Sequence, residues 1–178
     1  MGTRYLFEKA IKICQNFSPQ DRDLVRNRCN VIQDAQEKLV AAAETAMFHC
    51  IERCRGICCR NLDIDTIFSL WDFIFILTLA PQLKDEMQER LDHHTALYLS
   101  PCPFLKDAVG PCIVPDGMKA QICVITFCTN DETLKKPIHL VNLNFYKLCW
   151  LIQYLRIKRI VQKIGCIFYP KKTNRPVR

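Results

Sequence analysis

The sequence lacks the short motifs by which many enzymes and ligand-binding proteins are identified. It has only 5 glycines in 178 residues and contains no glycine-rich phosphate loop. An EF-hand loop, a GxSxG nucleophile elbow and a paired-carboxylate signature are also missing. No two cysteines are spaced CxxC and no two histidines HxxxH, so the close ligand pairs of strong zinc sites are missing too. These absences favour a non-enzymatic protein.

Long uninterrupted hydrophobic runs are missing as well. Charges at Arg4 and Glu8 interrupt the segment where a secretory signal would need an apolar core. The most apolar stretch, residues 66–80, contains Asp72 and stops before Pro81 after about 15 residues, whereas a membrane-spanning helix needs about 20. We therefore expect a soluble protein without a transmembrane segment.

Cysteine, by contrast, is abundant, with 12 residues in the chain. Without a secretory signal, so many cysteines indicate a reducing compartment, in which thiols remain free and serve as small hydrophobic side chains, metal ligands or nucleophiles. The expected location is the cytoplasm, the nucleus or both.

The overall composition is that of one globular domain. Hydrophobic residues make up 49% and charged residues 24% of the chain, a balance that disordered proteins do not have. A chain of this length can bury a single core. We predict one domain over residues 1–170 and a flexible basic tail over residues 171–178.

The spacing of apolar residues predicts a mainly helical α+β fold. About five helices with a 3.6-residue period surround the apolar helix at 66–80, and Ser18 with Pro19 marks one helix start. Residues 100–117 contain four prolines and form the principal loop. Two segments apolar on both faces predict a small late β element at 119–129 and 166–169.

Asp72 is the one charge inside the predicted central helix. A carboxylate among Trp71, Phe73 and Phe75 is costly to bury without a partner. We expect it to pair with a basic residue of a neighbouring helix.

The positive charge of the chain is concentrated at its C-terminal end. Eight of the 25 basic residues and none of the 18 acidic residues fall within 156–178. On the predicted helix at 141–164, a stripe of Trp150, Tyr154, Ile157 and Val161 would face the core, and basic residues would lie opposite. The candidate binding residues for nucleic acid or an acidic protein partner are Arg156, Arg159, Lys163, Lys171, Lys172 and Arg175. We expect glutamate at the first three to abolish binding and leave the fold intact.

Two alternatives depend on the cysteines. Cys50 and Cys54 are spaced i, i+4 on a predicted helix, and His93 and His94 could complete a structural zinc site with them. Such a protein would be a zinc-stabilised adaptor that recruits a host or cellular protein. Arginines at 53, 55 and 60 would lower the pKa of an exposed thiol, so a thiol-dependent enzyme is the second alternative.

The general character of the chain resembles that of accessory or regulatory proteins encoded by viruses, which are often small, rich in cysteine and basic at one end. The missing catalytic motifs and the basic C-terminal end make a non-enzymatic regulatory or accessory protein the leading hypothesis. It would bind nucleic acid or an acidic partner through its basic C-terminal helix and tail.

Overall fold

The structure is a computed structural model that describes residues 2–49, 57–94, 99–108, 110–127 and 131–168. Over these ranges the chain is mainly helical, as predicted. None of the described helices has an apolar stretch long enough to span a membrane. The α-helices in these ranges are α1 (Thr3–Gln15), α2 (Pro19–Ala42), α3 (Glu44–His49), α4 (Ile57–Arg60), α5 (Ile64–Ile67), α6 (Leu70–Leu79), α7 (Lys84–Asp92), α8 (Gln121–Ile125) and α9 (Lys135–Phe168).

Helix α2 begins where the sequence predicted. The Ser18 hydroxyl accepts a hydrogen bond from the Asp21 backbone N–H at 3.1 Å, and Pro19 occupies the first helical position. A proline fits there because the first-turn N–H groups have no partner inside the helix. The helix ends at Ala42, and α3 follows from Glu44.

The predicted helix at 66–80 is divided in two. Helix α5 ends at Ile67, and α6 begins after Ser69, which caps it in a reciprocal arrangement with Asp72. The Ser69 backbone N–H donates to Asp72 Oδ2 at 2.8 Å, and the Asp72 N–H donates to the Ser69 hydroxyl at 3.3 Å. This capping box satisfies N–H groups at the start of α6.

Among the residues that the structure describes, Asp72 has no basic partner, contrary to the prediction. Its second oxygen, Oδ1, accepts a hydrogen bond of 2.7 Å from the backbone N–H of Gln121, the first residue of α8. Burial raises the pKa of the Asp72 carboxyl, and its hydrogen bonds with Gln121 and Ser69 oppose that rise. One buried carboxylate thus joins the starts of two helices, where N–H groups favour negative charge.

Helix α6 is the centre of the core, as predicted. Phe73, Phe75 and the two isoleucines beside them are fully buried. The Phe73 ring meets Phe7 of α1 edge-on at 5.1 Å, and Phe75 meets Phe145 of α9 at 5.3 Å. Each such aromatic pair contributes about 0.5–1.5 kcal/mol beyond the area that it buries.

The two longest helices, α2 and α9, pack against each other. Helix α9 has 34 residues and extends beyond both ends of the helix predicted at 141–164. Its buried side chains recur every three or four residues, as a helix with one face in the core requires. They are Val141, Phe145, Leu148, Ile152 and Leu155, and those of α2 include Val25, Cys29, Ile32 and Leu39.

The predicted late β element is wrong. Within 119–129 the structure has the short helix α8, and Cys166–Phe168 belong to α9. Tyr169 and residues 128–130 lie outside the described part of the chain. In the described ranges the only β pairing is two isolated bridges, Leu62 with Ser100 and Leu105 with Cys112.

Side chains of neighbouring helices replace the hydrogen bonds that a sheet would have supplied to this segment. The buried Gln36 amide of α2 donates to the Lys119 carbonyl at 2.8 Å and accepts from its N–H at 3.1 Å. Asp72 accepts from Gln121 two residues later. Because buried backbone groups must be paired, these contacts allow the segment to pack without a partner strand.

The predicted loop at 100–117 is anchored to the core. Phe104 is fully buried and meets Phe68 edge-on at 5.0 Å. Arg90 of α7 donates to the carbonyls of Pro103 and Leu105, both at 3.1 Å. The described part of this loop is thus fixed at several points.

Candidate interaction surface on the C-terminal helix

The faces of α9 are the reverse of those predicted from its sequence. Trp150, Tyr154, Ile157 and Val161 were expected to face the core, yet the exposed fraction of Trp150 is 76% and that of Ile157 is 60%. The core is contacted instead by the stripe that contains Phe145 and Ile152. At 100° per residue the two stripes lie on nearly opposite sides of the helix.

Six of the eight exposed large apolar side chains described on α9 share one face of the helix. Their spacing of three or four residues places them on one face over about 27 Å of helix, at a rise of 1.5 Å per residue. We call this surface the outer stripe. It consists of Leu143, Tyr146, Trp150, Tyr154, Ile157 and Val161. Exposed apolar surfaces of this extent are typical of sites that bind another molecule.

Arg159, one of the predicted binding residues, lies on the core side of α9 and is engaged in the fold. Its Nη2 atom donates to Asp21 Oδ2 at 2.7 Å, and the exposed fractions of the two side chains are 27% and 11%. The guanidinium also lies over the Phe17 ring, 5.3 Å from its centroid. The hydrogen bond from Arg159 is the main reason why the pKa of Asp21 is lowered, and burial opposes it.

The other predicted basic residues occupy different positions. Arg156 is exposed and donates to Gln153 Oε1 at 3.3 Å. The backbone of Lys163 belongs to α9, but its side chain lies outside the described part of the structure. The tail residues Lys171, Lys172 and Arg175 also lie outside it.

Positive charge flanks the outer stripe. Lys147 and Lys158 are exposed beside it, and Arg156 is exposed nearer the edge of the helix. From Lys135 to Phe168 the sequence of α9 contains no aspartate or glutamate. The outer stripe therefore combines apolar contact area with a positive border, and sequence reasoning missed this combination because it assigned the stripe to the core.

Of the four predicted metal ligands, only His93 and His94 lie in the part of the chain that the structure describes. His93 follows the end of α7 and is exposed, and its neighbour His94 is half-buried beside a cavity that Glu86 and Glu89 also line. Cys50 and Cys54 lie outside the described ranges. Among the side chains that the structure places, no group of three or more could hold a metal ion.

Several described thiols are held in their neutral form. Burial raises the pKa of Cys14 to about 11 and that of Cys29 and Cys102 to about 12. A cysteine nucleophile needs a lowered pKa, because the thiolate is the reactive species. These three thiols act as small apolar side chains of the core.

Comparison with known proteins does not add a function. The chain matches no protein-family model, no curated protein sequence and no solved structure.

Proposed function

We propose that the protein is a non-enzymatic regulatory or accessory protein that binds an acidic protein partner through the outer stripe of α9. The observation that carries the proposal is the exposure of large apolar side chains, above all Trp150 at 76%, along one helix face. Tryptophan and tyrosine are the residues that most often dominate binding energy in protein interfaces. Three of the six residues of the outer stripe are of these two types.

Charge and spacing define the partner. Apolar residues repeating at i, i+3/i+4 and i+7 match the anchors of helix-in-groove and helix-to-helix recognition. The exposed Lys147 and Lys158 beside the stripe favour a partner with acidic residues at the border of its apolar surface. A second copy of this chain would bring the same cations together and is disfavoured by repulsion.

Nucleic acid is the second candidate. Tyr146, Trp150 and Tyr154 are exposed at intervals of four residues, with lysine and arginine side chains between and beside them. Aromatic platforms with cations are typical of single-strand binding. We rank it second because Leu143, Ile157 and Val161 offer bases no stacking surface, whereas a protein helix can bury them.

The free thiols that the structure describes accord with the cytoplasm or nucleus as the site of this activity. We place the protein in one or both of these compartments. A structural zinc site would have to be built around Cys50 and Cys54, and no described residue supports one.

The experiment is a titration with designed partners of known chemistry. The probes are a helical peptide with leucine at its a and d positions and glutamate at e and g, the same peptide with lysine in place of glutamate, and a single-stranded oligonucleotide. Calorimetry should show binding of the glutamate peptide, and Trp150→Ser or Ile157→Ser should weaken it by about 30-fold, the effect of removing a contact worth about 2 kcal/mol.

The matched control is Leu24→Ser, which removes an exposed leucine of α2 outside the outer stripe. It should leave binding unchanged. If the oligonucleotide binds more tightly than the glutamate peptide, and Trp150→Ser weakens that binding, the partner is nucleic acid and not a protein. Equal binding of both peptides, or no effect of either serine substitution, contradicts the proposal.

A further inference from the structure

A cavity of about 380 Å³ lies apart from the outer stripe, between the end of α1, the start of α2 and the end of α6. Its volume is within the range of about 300–1,000 Å³ that is usual for sites of small molecules. Ile11, Phe17, Val25, Leu77 and Pro81 form its apolar wall. The wall would suit a hydrocarbon chain.

Three cations line the same cavity. They are Arg22, Arg26 and Lys84, and none of the described lining residues is acidic. Arg26 makes no ion pair with a described residue, and Lys84 approaches only the exposed Asp85, at 3.4 Å. An exposed pair of that kind contributes little, so it leaves the positive charge available to a ligand.

Arg22 is held in position by backbone groups and not by an acid. Its Nε donates to the Phe17 carbonyl at 3.2 Å, and its Nη2 donates to the Gln15 carbonyl at 3.4 Å. Both bonds fix the guanidinium without neutralising its charge. Arginine in a fixed orientation is well suited to bind carboxylate or phosphate oxygens.

The inner polar groups of the cavity are already satisfied. The Thr78 hydroxyl donates to the Ile74 carbonyl at 2.6 Å. Burial raises the pKa of the Cys14 thiol to about 11, so it is neutral at physiological pH. The cavity thus has a neutral interior and a cationic rim.

We propose that this cavity binds a small anionic amphiphile, with an alkyl chain along Ile11, Val25 and Leu77 and a carboxylate or phosphate between Arg22 and Arg26. A ligand with an alkyl chain and an anionic head group would contact both the apolar wall and the unneutralised arginines. A purely apolar molecule would gain nothing from the arginines. The site does not depend on the partner of the outer stripe.

The test is calorimetry of the full chain with dodecanoate, dodecyl phosphate and uncharged dodecanol, each below its micelle concentration. Either anion should bind at least about tenfold more tightly than dodecanol, as expected when charge-assisted hydrogen bonds are added to the same apolar contact. The better of the two anions identifies the head group.

Five variants locate the binding. Each of the variants Arg22→Gln and Arg26→Gln should lower the affinity for the anion to about that for dodecanol. The control Lys38→Gln makes the same charge change at an exposed site of α2 and should leave the affinity unchanged. Ile11→Trp fills the cavity and should abolish binding of all three molecules. Trp150→Ser should not change it, which separates this site from the outer stripe.

The proposal is overturned if the folded protein binds none of the three molecules or binds dodecanol as tightly as the anions. Loss of binding in Trp150→Ser also overturns it. Circular dichroism and the urea midpoint of each variant verify that the protein used is folded.

Discussion

Arg159 and Asp21 are 138 residues apart in the chain and form a hydrogen-bonded ion pair of 2.7 Å between α9 and the first turn of α2. The spacing in α9 explains why the pair forms. Arg159 follows Leu155 by four residues and so continues the buried stripe, at the point where the core reaches the surface beside Phe17. Its charge is thereby used within the fold.

Replacing Arg159 by glutamate should therefore destabilise the protein. The variant leaves Asp21 facing a like charge, and loss of a hydrogen bond to a charged group costs about 1.5–3 kcal/mol. Arg156→Glu, on the exposed part of the same helix, should cost less than about 0.5 kcal/mol. Urea unfolding measures both, and equal losses would contradict the assigned roles.

The combined replacement of Arg156, Arg159 and Lys163 by glutamate, which the sequence suggested would preserve the fold, is consequently not a clean test of binding. A loss of binding in that variant would include the loss of the Asp21 contact. Arg156→Glu with Lys158→Glu removes exposed charge and leaves this ion pair in place.

Acid should weaken the contact between α2 and α9. Because the pKa of Asp21 is lowered in the folded state, its contribution is fully present above the unfolded aspartate pKa of about 3.9 and is lost as the pH falls through the lower folded value. The urea midpoint of the unmodified protein should decrease as the pH is lowered through this window. The urea midpoint of Asp21→Asn should be lower at neutral pH and should decrease less as the pH is lowered. Parallel curves of midpoint against pH for the two proteins would refute the assignment.

Asp72→Asn should destabilise the protein although the two side chains have the same shape. Both Asp72 oxygens accept hydrogen bonds, from Ser69 N–H and hydroxyl groups and from Gln121 N–H. An asparagine NH₂ group would face a donor and leave at least one buried group unpaired, at a cost of about 1–3 kcal/mol.

The control for Asp72 is Asp63→Asn. Asp63 is an exposed cap that accepts from the Asp65 N–H of α5 at 3.0 Å, and asparagine is an equally good cap. Its urea midpoint should stay close to that of the unmodified protein. If Asp72→Asn and Asp63→Asn lower the urea midpoint equally, the hydrogen bond between Gln121 of α8 and Asp72 contributes nothing to stability.

The buried thiols should react slowly with alkylating agents at neutral pH. Burial keeps the pKa of Cys14 near 11 and that of Cys29 and Cys102 near 12, so little thiolate forms. Cys58 is exposed on α4 and should be modified before these three thiols. Mass spectrometry at successive times measures the order in which the cysteines are alkylated. In urea the cysteines should react at similar rates. Fast modification of Cys14 in the folded protein would contradict it.

Local signals in the sequence predicted the structure correctly where contacts between neighbouring residues are sufficient to determine it. Ser18 and Pro19 start a helix in any surroundings, and the apolar run that contains Phe73 and Phe75 must be buried wherever it lies. The break at Ser69 was also encoded, since Ser69 and Asp72 have the spacing of a capping box, but the apolar run concealed it.

The sequence by itself determined a mainly helical chain with an apolar centre within 66–80 and a positive C-terminal helix. Only the tertiary structure decided which apolar face of α9 is buried, because both of its stripes have helical spacing and just one meets α2 and α6. It also decided that residues near Lys119 need no partner strand, since Gln36 and Asp72 satisfy backbone groups from positions distant in the chain. Hydrogen bonds and packing between such distant residues depend on the whole fold, and local periodicity does not contain them.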